Sequence, residues 1–310
     1  MPVSVAEYMG IRTDRLPDII PLINLSSKPK VDCPFRTHHC LKAVKGQQPV
    51  CSVRDTSGEL WIVCEHRLCA TSPKTVPINL HQQYILRLVA HSIYGSSIPD
   101  SDILIKREEQ IPITATSDYK ADYVMWRTNA NTGTAFGGDT AAIVEMQGGG
   151  ETAGTEKLTA HVKAWSKLAN PTNENLIIPA NAVPLVTNAW RRQQEQFLVK
   201  GSVAMLTGAK MVFCVGSLLY DYLIQRLTTV NLQDLRTANW NLALIAFVED
   251  IHGTPPACAP NSIQFTIDHN RTLYTNYFSF VQALTNQGAP QPQVFLGNYQ
   301  DFSGTKVLIK

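Results

Sequence analysis

The segment from Asp122 to Gln147 constrains this chain more than any other. Ala121-Asp122-Tyr123-Val124-Met125-Trp126 is an apolar run with β-branched and aromatic residues, the composition of a strand, and it carries an acid near its start. Thr140-Ala141-Ala142-Ile143-Val144-Glu145-Met146-Gln147 is a second apolar run whose only charge is Glu145. Between them stand Asn129-Ala130-Asn131-Thr132-Gly133 and Gly137-Gly138, turn chemistry that can join antiparallel neighbours. Such a hairpin brings two carboxylates to one end of a sheet. Hard cations such as Mg2+ take oxygen ligands in an incomplete protein cage, leaving room for water and a phosphate oxygen. Asp122 and Glu145 are therefore candidate magnesium ligands, and the bland alternative is a plain hairpin with solvated acidic ends.

An aspartate, roughly twenty residues, then Glu145-Met146-Gln147 resembles the PD-(D/E)xK nuclease core, with Gln147 where lysine usually stands. A phosphate-binding loop is the competing use of Gly148-Gly149-Gly150. Gly149 and Gly154 have the required spacing, but Thr155 stands where lysine is needed, so the phosphate cradle fails.

The chain has 310 residues, enough for one large domain or two, and 44% hydrophobic with 17% charged residues is ordinary globular composition. It has no run of eighteen apolar residues, and Met1-Pro2-Val3-Ser4-Val5-Ala6-Glu7 has neither a basic start nor an apolar signal region. These features predict a cytoplasmic protein with no membrane partner. The net charge of +2 does not identify a nucleic-acid binder, and a local basic cleft is compatible with it.

Five of the seven cysteines, Cys33, Cys40, Cys51, Cys64 and Cys69, fall within a short stretch. In a reducing compartment clustered cysteines more often bind metal than pair as disulfides, and four thiolates in a tetrahedron suit zinc or iron. None of the gaps is the C-x2-C knuckle of a standard zinc finger. Free buried thiols are the alternative, and His38 and His39 could substitute as ligands.

Cys33-Pro34-Phe35, Cys40 with Lys42, Cys51-Ser52-Val53, then Ile62-Val63-Cys64 and Arg67, resembles the N-terminal signature of the NotI family of type II restriction endonucleases. That family joins a four-cysteine iron site to a D…E-x-Q nuclease core, and both features occur here in the same order over about the first half of the chain. The resemblance implies Cys33, Cys40, Cys51 and Cys64 as ligands of a structural iron or zinc, and Asp122, Glu145 and Gln147 as catalytic residues. Cys69 departs from the pattern. It further implies a homodimer that cuts a palindromic, GC-rich site in double-stranded DNA, as part of a restriction-modification system.

Elsewhere, residues 1 to 30 are expected to form a short helix or arm, limited by Pro17, Pro21 and Pro29. Asn79 caps a predicted helix through Ala90, and Ile103 to Ile111 reads as the first strand of the core. Glu108 or Glu109 at that strand's end could approach the metal, although an exposed charged end is the plainer reading. From Gly148 to Pro184 the chain is polar and glycine-containing, interrupted by Ala160-His161-Val162-Lys163-Ala164-Trp165; a loop of that length in a nuclease could embrace DNA. Asn188 to Lys200 predicts a capped helix with Trp190, Phe197 and Leu198 on one side and an Arg/Gln-rich face on the other. Arg191, Arg192 and Lys200 are its candidate DNA contacts. Lys210 to Val215 and Leu242 to Val248 read as buried strands, Ser217 to Ile224 as a buried helix, and Cys214 as core packing.

The expected architecture is α/β: a PD-(D/E)xK restriction-endonuclease-like mixed sheet flanked by helices, with a small N-terminal cysteine-metal module. Residues 1–75 are the arm and metal module, 76–252 the nuclease core and 253–310 a C-terminal appendage packed on the core. In that scheme the acids hold Mg2+ to polarise the scissile phosphate and activate water, and the Gln147 amide orients the water or a phosphate oxygen. Two other classes fit the same residues: a repair or structure-specific DNA nuclease on the same core, and a non-enzymatic cysteine-metal protein.

Overall fold

The computed structural model describes residues 3–13, 22, 30–44, 46–72, 74–111, 119–128, 141–149, 152–153, 155–166, 183–184, 186–227, 232–237, 239–285 and 292–310. Pro17, Pro21, Pro29, the turn residues from Asn129 to Gly138, Thr140, Gly150, Gly154 and most of the 148–184 stretch lie outside the described residues.

The architecture is mixed α/β, built on a mixed six-stranded sheet flanked by helices. Its strands are β5 (Ile103–Ile111), β6 (Tyr119–Arg127), β7 (Ala141–Gln147), β10 (Lys210–Gly216), β11 (Leu242–Glu249) and β12 (Phe265–Thr275), in the order β12-β11-β10-β7-β6-β5. β5, β6 and β7 run antiparallel in succession, β7, β10 and β11 are parallel, and β12 returns antiparallel at the far edge. A parallel step needs a crossover, and helix α3 (Val186–Thr207) lies in the connection from β7 to β10.

Alternation along the central strands explains why both faces are covered. Met211, Phe213 and Val215 of β10, with Leu242, Leu244 and Ala246 of β11, join the cluster around α3, which includes Phe197 and Ala204. Val212 and Cys214, with Ala243, Ile245 and Phe247, join the opposite cluster, which holds Ile85, Leu86 and Val89 of α1 (Leu80–Tyr94). Successive side chains of a strand point to opposite faces, so an uninterrupted apolar run is what a doubly covered strand requires. Each such side chain contributes about 1.5–3 kcal/mol when fully buried. Helix α1 begins where the sequence predicts: the Gln82 N–H donates to Asn79 Oδ1 at 2.9 Å, and the Asn79 N–H donates to Gln82 Oε1 at 2.9 Å.

Near the N-terminus, the expected helix or arm is instead strand β1 (Ser4–Tyr8). It sits in an antiparallel sheet with β2 (Ile11–Arg12), β3 (Val50–Arg54) and β4 (Leu60–Ile62), in the order β2-β1-β3-β4. Val3, Val5, Ala6 and Tyr8 are all buried. The β1–β2 turn uses Met9 and Gly10 at φ 48° and 74°, the left-handed pair that suits a two-residue hairpin. A side chain at Gly10 would stand 2.9 Å from Pro34 Cγ, so this glycine also lets the Cys33 loop close against the hairpin.

This sheet has no core of its own. Val5, Val53 and Trp61 belong to the same cluster as Phe197 and Phe213, and Leu60 and Ile62 belong to the cluster beneath α1. Gly148, directly after Gln147, has room for no side chain because its Cβ would lie 2.6 Å from Ile62 Cγ2; the glycines there serve packing of β4 on the sheet end. Within the long polar stretch, α2 (Thr155–Trp165) is helical and buries Leu158 and Val162 in the same cluster as β1.

The tail also divides differently from the expected boundary at 253. β12 is a full member of the main sheet, and α5 (Tyr277–Thr285) buries Phe280 against Phe197, their rings 5.0 Å apart. α4 (Ser217–Leu227) is the buried helix expected there. Only β13 (Gly297–Gln300) and β14 (Lys306–Ile309), which pair with each other and are largely exposed, resemble an appendage.

Candidate active site

Backbone pairing between β6 and β7 ends at Tyr123 opposite Val144. At the next position Asp122 and Glu145 face each other, and their side chains replace the ladder. Met146 N–H donates to Asp122 Oδ2 at 2.9 Å, and Asp122 N–H donates to Glu145 Oε1 at 3.4 Å. The two acids therefore meet as the hairpin pattern predicts. They open on a cleft of 360 Å3 whose lining includes Gln147, Gln193, Gln196, Lys200 and Cys69.

Lys200, a candidate DNA contact, is drawn into this cleft. It is only 3% exposed, and its Nζ lies 2.7 Å from Glu145 Oε1 and donates to the Lys120 carbonyl. Helical spacing explains the placement: Gln193, Gln196 and Lys200 follow at three and four residues and form one stripe of α3 facing the cleft. Trp190 and Phe197 form the neighbouring buried stripe, while Leu198, expected with them, is 39% exposed. Arg191 and Arg192 lie in α3, but their side chains are outside the described residues.

Among the described residues, Glu65, Asp122 and Glu145 line the cleft with one lysine, Lys200, which leaves it short of positive charge. Burial, and then repulsion from Asp122, push the Glu145 carboxyl up to about 8, although Lys200 pulls it down. Burial likewise raises Asp122. The short ion pair does not offset the loss of hydration and the like charge together. Gln193 Nε2 donates to Gln147 Oε1 at 2.7 Å, and Gln147 Nε2 donates to the Gly149 carbonyl at 3.3 Å, which fixes the glutamine amide. Glu108 and Glu109 do not line the cleft; they bond Thr71 at 2.8 Å and Lys74 at 3.1 Å.

Another part of the lining comes from the turn after Cys64, where the sequence points to Arg67 and Cys69 but not to Glu65, His66 or Thr71. Glu65, His66, Cys69 and Thr71 all line the acid cleft. Cys69 Sγ approaches Tyr123 Oη at 3.5 Å, and burial raises its thiol to about 12, so it stands apart from the other cysteines of the cluster.

Cys33, Cys40, Cys51 and Cys64 line one small cavity together. A hydrogen bond joins the Cys33 and Cys40 thiols and draws Cys40 down to about 6; burial raises Cys51 and takes Cys64 up to about 11. By donor type alone, thiols are ligands for zinc or iron. Even so, among the described residues no group of three or more His, Cys, Asp or Glu is placed to hold a metal ion. His38 and His39 do not line this cavity; His39 Nδ1 lies 2.9 Å from Asp32 Oδ1 at the surface.

Asp122 and Glu145 are two carboxylates, the number that suffices for magnesium, which keeps several waters and shares its shell with substrate phosphate. The fold and cleft thus define a mixed α/β protein in which a half-buried aspartate, a buried glutamate and an adjacent lysine meet. No protein-family model matches the chain, and no curated protein matches it significantly. Among the described residues, no helix is long and apolar enough to cross a membrane.

Proposed function

We propose that the chain is a magnesium-dependent type II restriction endonuclease with a PD-(D/E)xK core. The observation that carries this reading is the convergence of Asp122 and Glu145 in one cleft with Lys200 bonded to Glu145. The order of elements supports it: a helix, three antiparallel strands, then a helix leading to a fourth strand parallel to the third.

In this reading Asp122 and Glu145 hold magnesium. When bound, it supplies a Lewis acid that polarises the scissile phosphate and lowers the pKa of the attacking water. Lys200 supplies the fixed positive charge that Gln147, a neutral amide, lacks. Gln193 holds the Gln147 amide by its carbonyl and the Gly149 carbonyl takes one of its N–H groups, so the second N–H is what it can offer to water or a phosphate oxygen. Water adds to phosphorus as the bond to the leaving oxygen breaks. One acid pair per chain cuts one strand, so double-strand cleavage calls for a two-fold homodimer on a palindrome.

Plasmid DNA incubated with the purified protein and magnesium is expected to yield discrete fragments whose sequenced ends share one palindrome. Intact plasmid, or ends at random sequences, would sink the proposal.

The four-cysteine cavity is read as a structural iron or zinc site, with no open position for chemistry. Elemental analysis of protein prepared under reducing conditions should find one such metal per chain. Cys33→Ser, Cys51→Ser and Cys64→Ser should each lower stability, because metal binding to such a shell is worth on the order of 10 kcal/mol of folding free energy. Cys69→Ser should retain the metal, since Cys69 lies in the other cleft. Protein free of transition metal counts against the site.

A further inference from the structure

His66 is shared between the two candidate centres: it lines both the four-cysteine cavity and the acid cleft. The turn that carries it is tied down at successive points by interactions remote from the cleft. Arg67 N–H donates to the Cys64 carbonyl at 2.9 Å, and the Arg67 guanidinium makes a two-pronged, fully buried ion pair with Glu7. His81 Nε2 lies 3.2 Å from the Arg67 carbonyl and 3.0 Å from that of Leu68, a proton shared with both. The Ala70 carbonyl accepts from Tyr123 Oη at 2.6 Å and from Gln82. Tyr123 adjoins Asp122, so the far end of the turn is hung from the strand that carries the acid.

On this fastened turn, Arg67, Leu68, Cys69 and Ala70 are buried, whereas Glu65 and His66 are partly exposed and stand at the cleft. Glu65 is countered by Lys42 at 3.7 Å. His66 Nε2 lies 3.6 Å from Glu65 Oε1, and the ring lines the same cleft as the acid pair and the Gln193, Gln196, Lys200 stripe. A donor mounted on a rigid element in the cleft of a phosphodiester-cleaving pair is suited to hold a phosphate oxygen.

We infer that His66 is a substrate-binding residue of the cleft, donating a hydrogen bond to a backbone phosphate of the DNA strand seated at Asp122 and Glu145, and that the Cys64 end of the cysteine cluster is its mount. This rests on the nuclease reading above. It gives the cysteine-bearing segment a part in substrate binding as well as in stability.

The test uses the full-length protein, a duplex carrying its cleavage site, magnesium for cleavage and calcium for binding without cleavage. His66→Ala should lower duplex affinity in calcium and kcat/KM in magnesium by about 10- to 100-fold, the range for losing a hydrogen bond to a charged group. His66→Asn, which keeps a donor, should recover most of that loss. Melting temperature and metal content should stay at the wild-type values in both variants, which separates binding from a fold defect. Wild-type affinity and cleavage in His66→Ala overturn the inference, as does an affinity loss that His66→Asn fails to reduce. If the wild-type protein itself neither binds nor cuts DNA, the nuclease reading falls and takes this inference with it.

Discussion

Asp122→Asn and Glu145→Gln are expected to bind the cognate duplex and to cut it at least about 1,000-fold more slowly than the wild type. Metal-held charge stabilisation is worth several kcal/mol in the transition state, and each 1.4 kcal/mol or so is a factor of ten. Neither variant should lose its fold. Glu145 is buried and Asp122 half-buried, and loss of hydration raises both carboxyls, so neutral isosteres spare the protein a desolvation cost. Glu145→Ala is the poorer probe because it leaves the Lys200 ammonium, 2.7 Å from Glu145 Oε1, buried without its carboxylate. Lys200→Met should also slow cleavage with binding retained, and Gln147→Ala should do so more mildly. Single-turnover rates in magnesium, beside binding in calcium, measure each of these. A Glu145→Gln protein that cuts near the wild-type rate removes the acid pair from the mechanism.

Arg67→Ala should be among the most damaging single changes away from the chemistry. Its side chain and that of Glu7 are both 0% exposed; Nε and Nη2 meet the two carboxylate oxygens at 2.5 and 3.0 Å. The guanidinium also bonds the Ile263 carbonyl and lies 3.8 Å from the Phe35 ring centroid and 4.5 Å from that of Phe265. Removing one partner of a buried pair leaves an uncompensated charge and costs about 3–5 kcal/mol. For a chain of this size that is a fall in melting temperature of roughly 10 °C. Arg67→Lys should recover only part, since an ammonium cannot make the two-pronged contact. Glu7→Gln with Arg67→Met should be milder than Arg67→Ala alone, because no lone charge remains. Thermal unfolding of the four proteins decides it, and a shift below about 1 kcal/mol for Arg67→Ala contradicts the argument.

What was legible in the sequence was local. Asn79 and Gln82 form their capping box within four residues, and the strands of 121–126, 210–215 and 242–248 declare themselves by unbroken apolar runs. The acid pair was legible because both carboxylates belong to one strand–turn–strand unit. Strand β1 was not, since its local partner β2 is only two residues long across Met9-Gly10 and its main partner β3 starts only at Val50. Lys200 is legible as a candidate, but its place is not: its stripe with Gln193 and Gln196 is polar, and a polar stripe reads as solvent-facing unless a cleft is known to lie against it. Glu65, His66 and Thr71 left no signal, because nothing periodic marks a turn whose place is set by contacts to Glu7, His81 and Tyr123.

The absence of a separate core beneath the β2-β1-β3-β4 sheet bears on how such a chain can be inherited. Val5, Val53 and Trp61 fill the same cluster as Phe197 and Phe213, so cutting near residue 75 opens both halves at once. The cysteine-bearing segment is not a cassette that recombination could move intact from one protein to another. It has to evolve in step with the helix and strands it rests on, and a substitution on either side must be answered on the other.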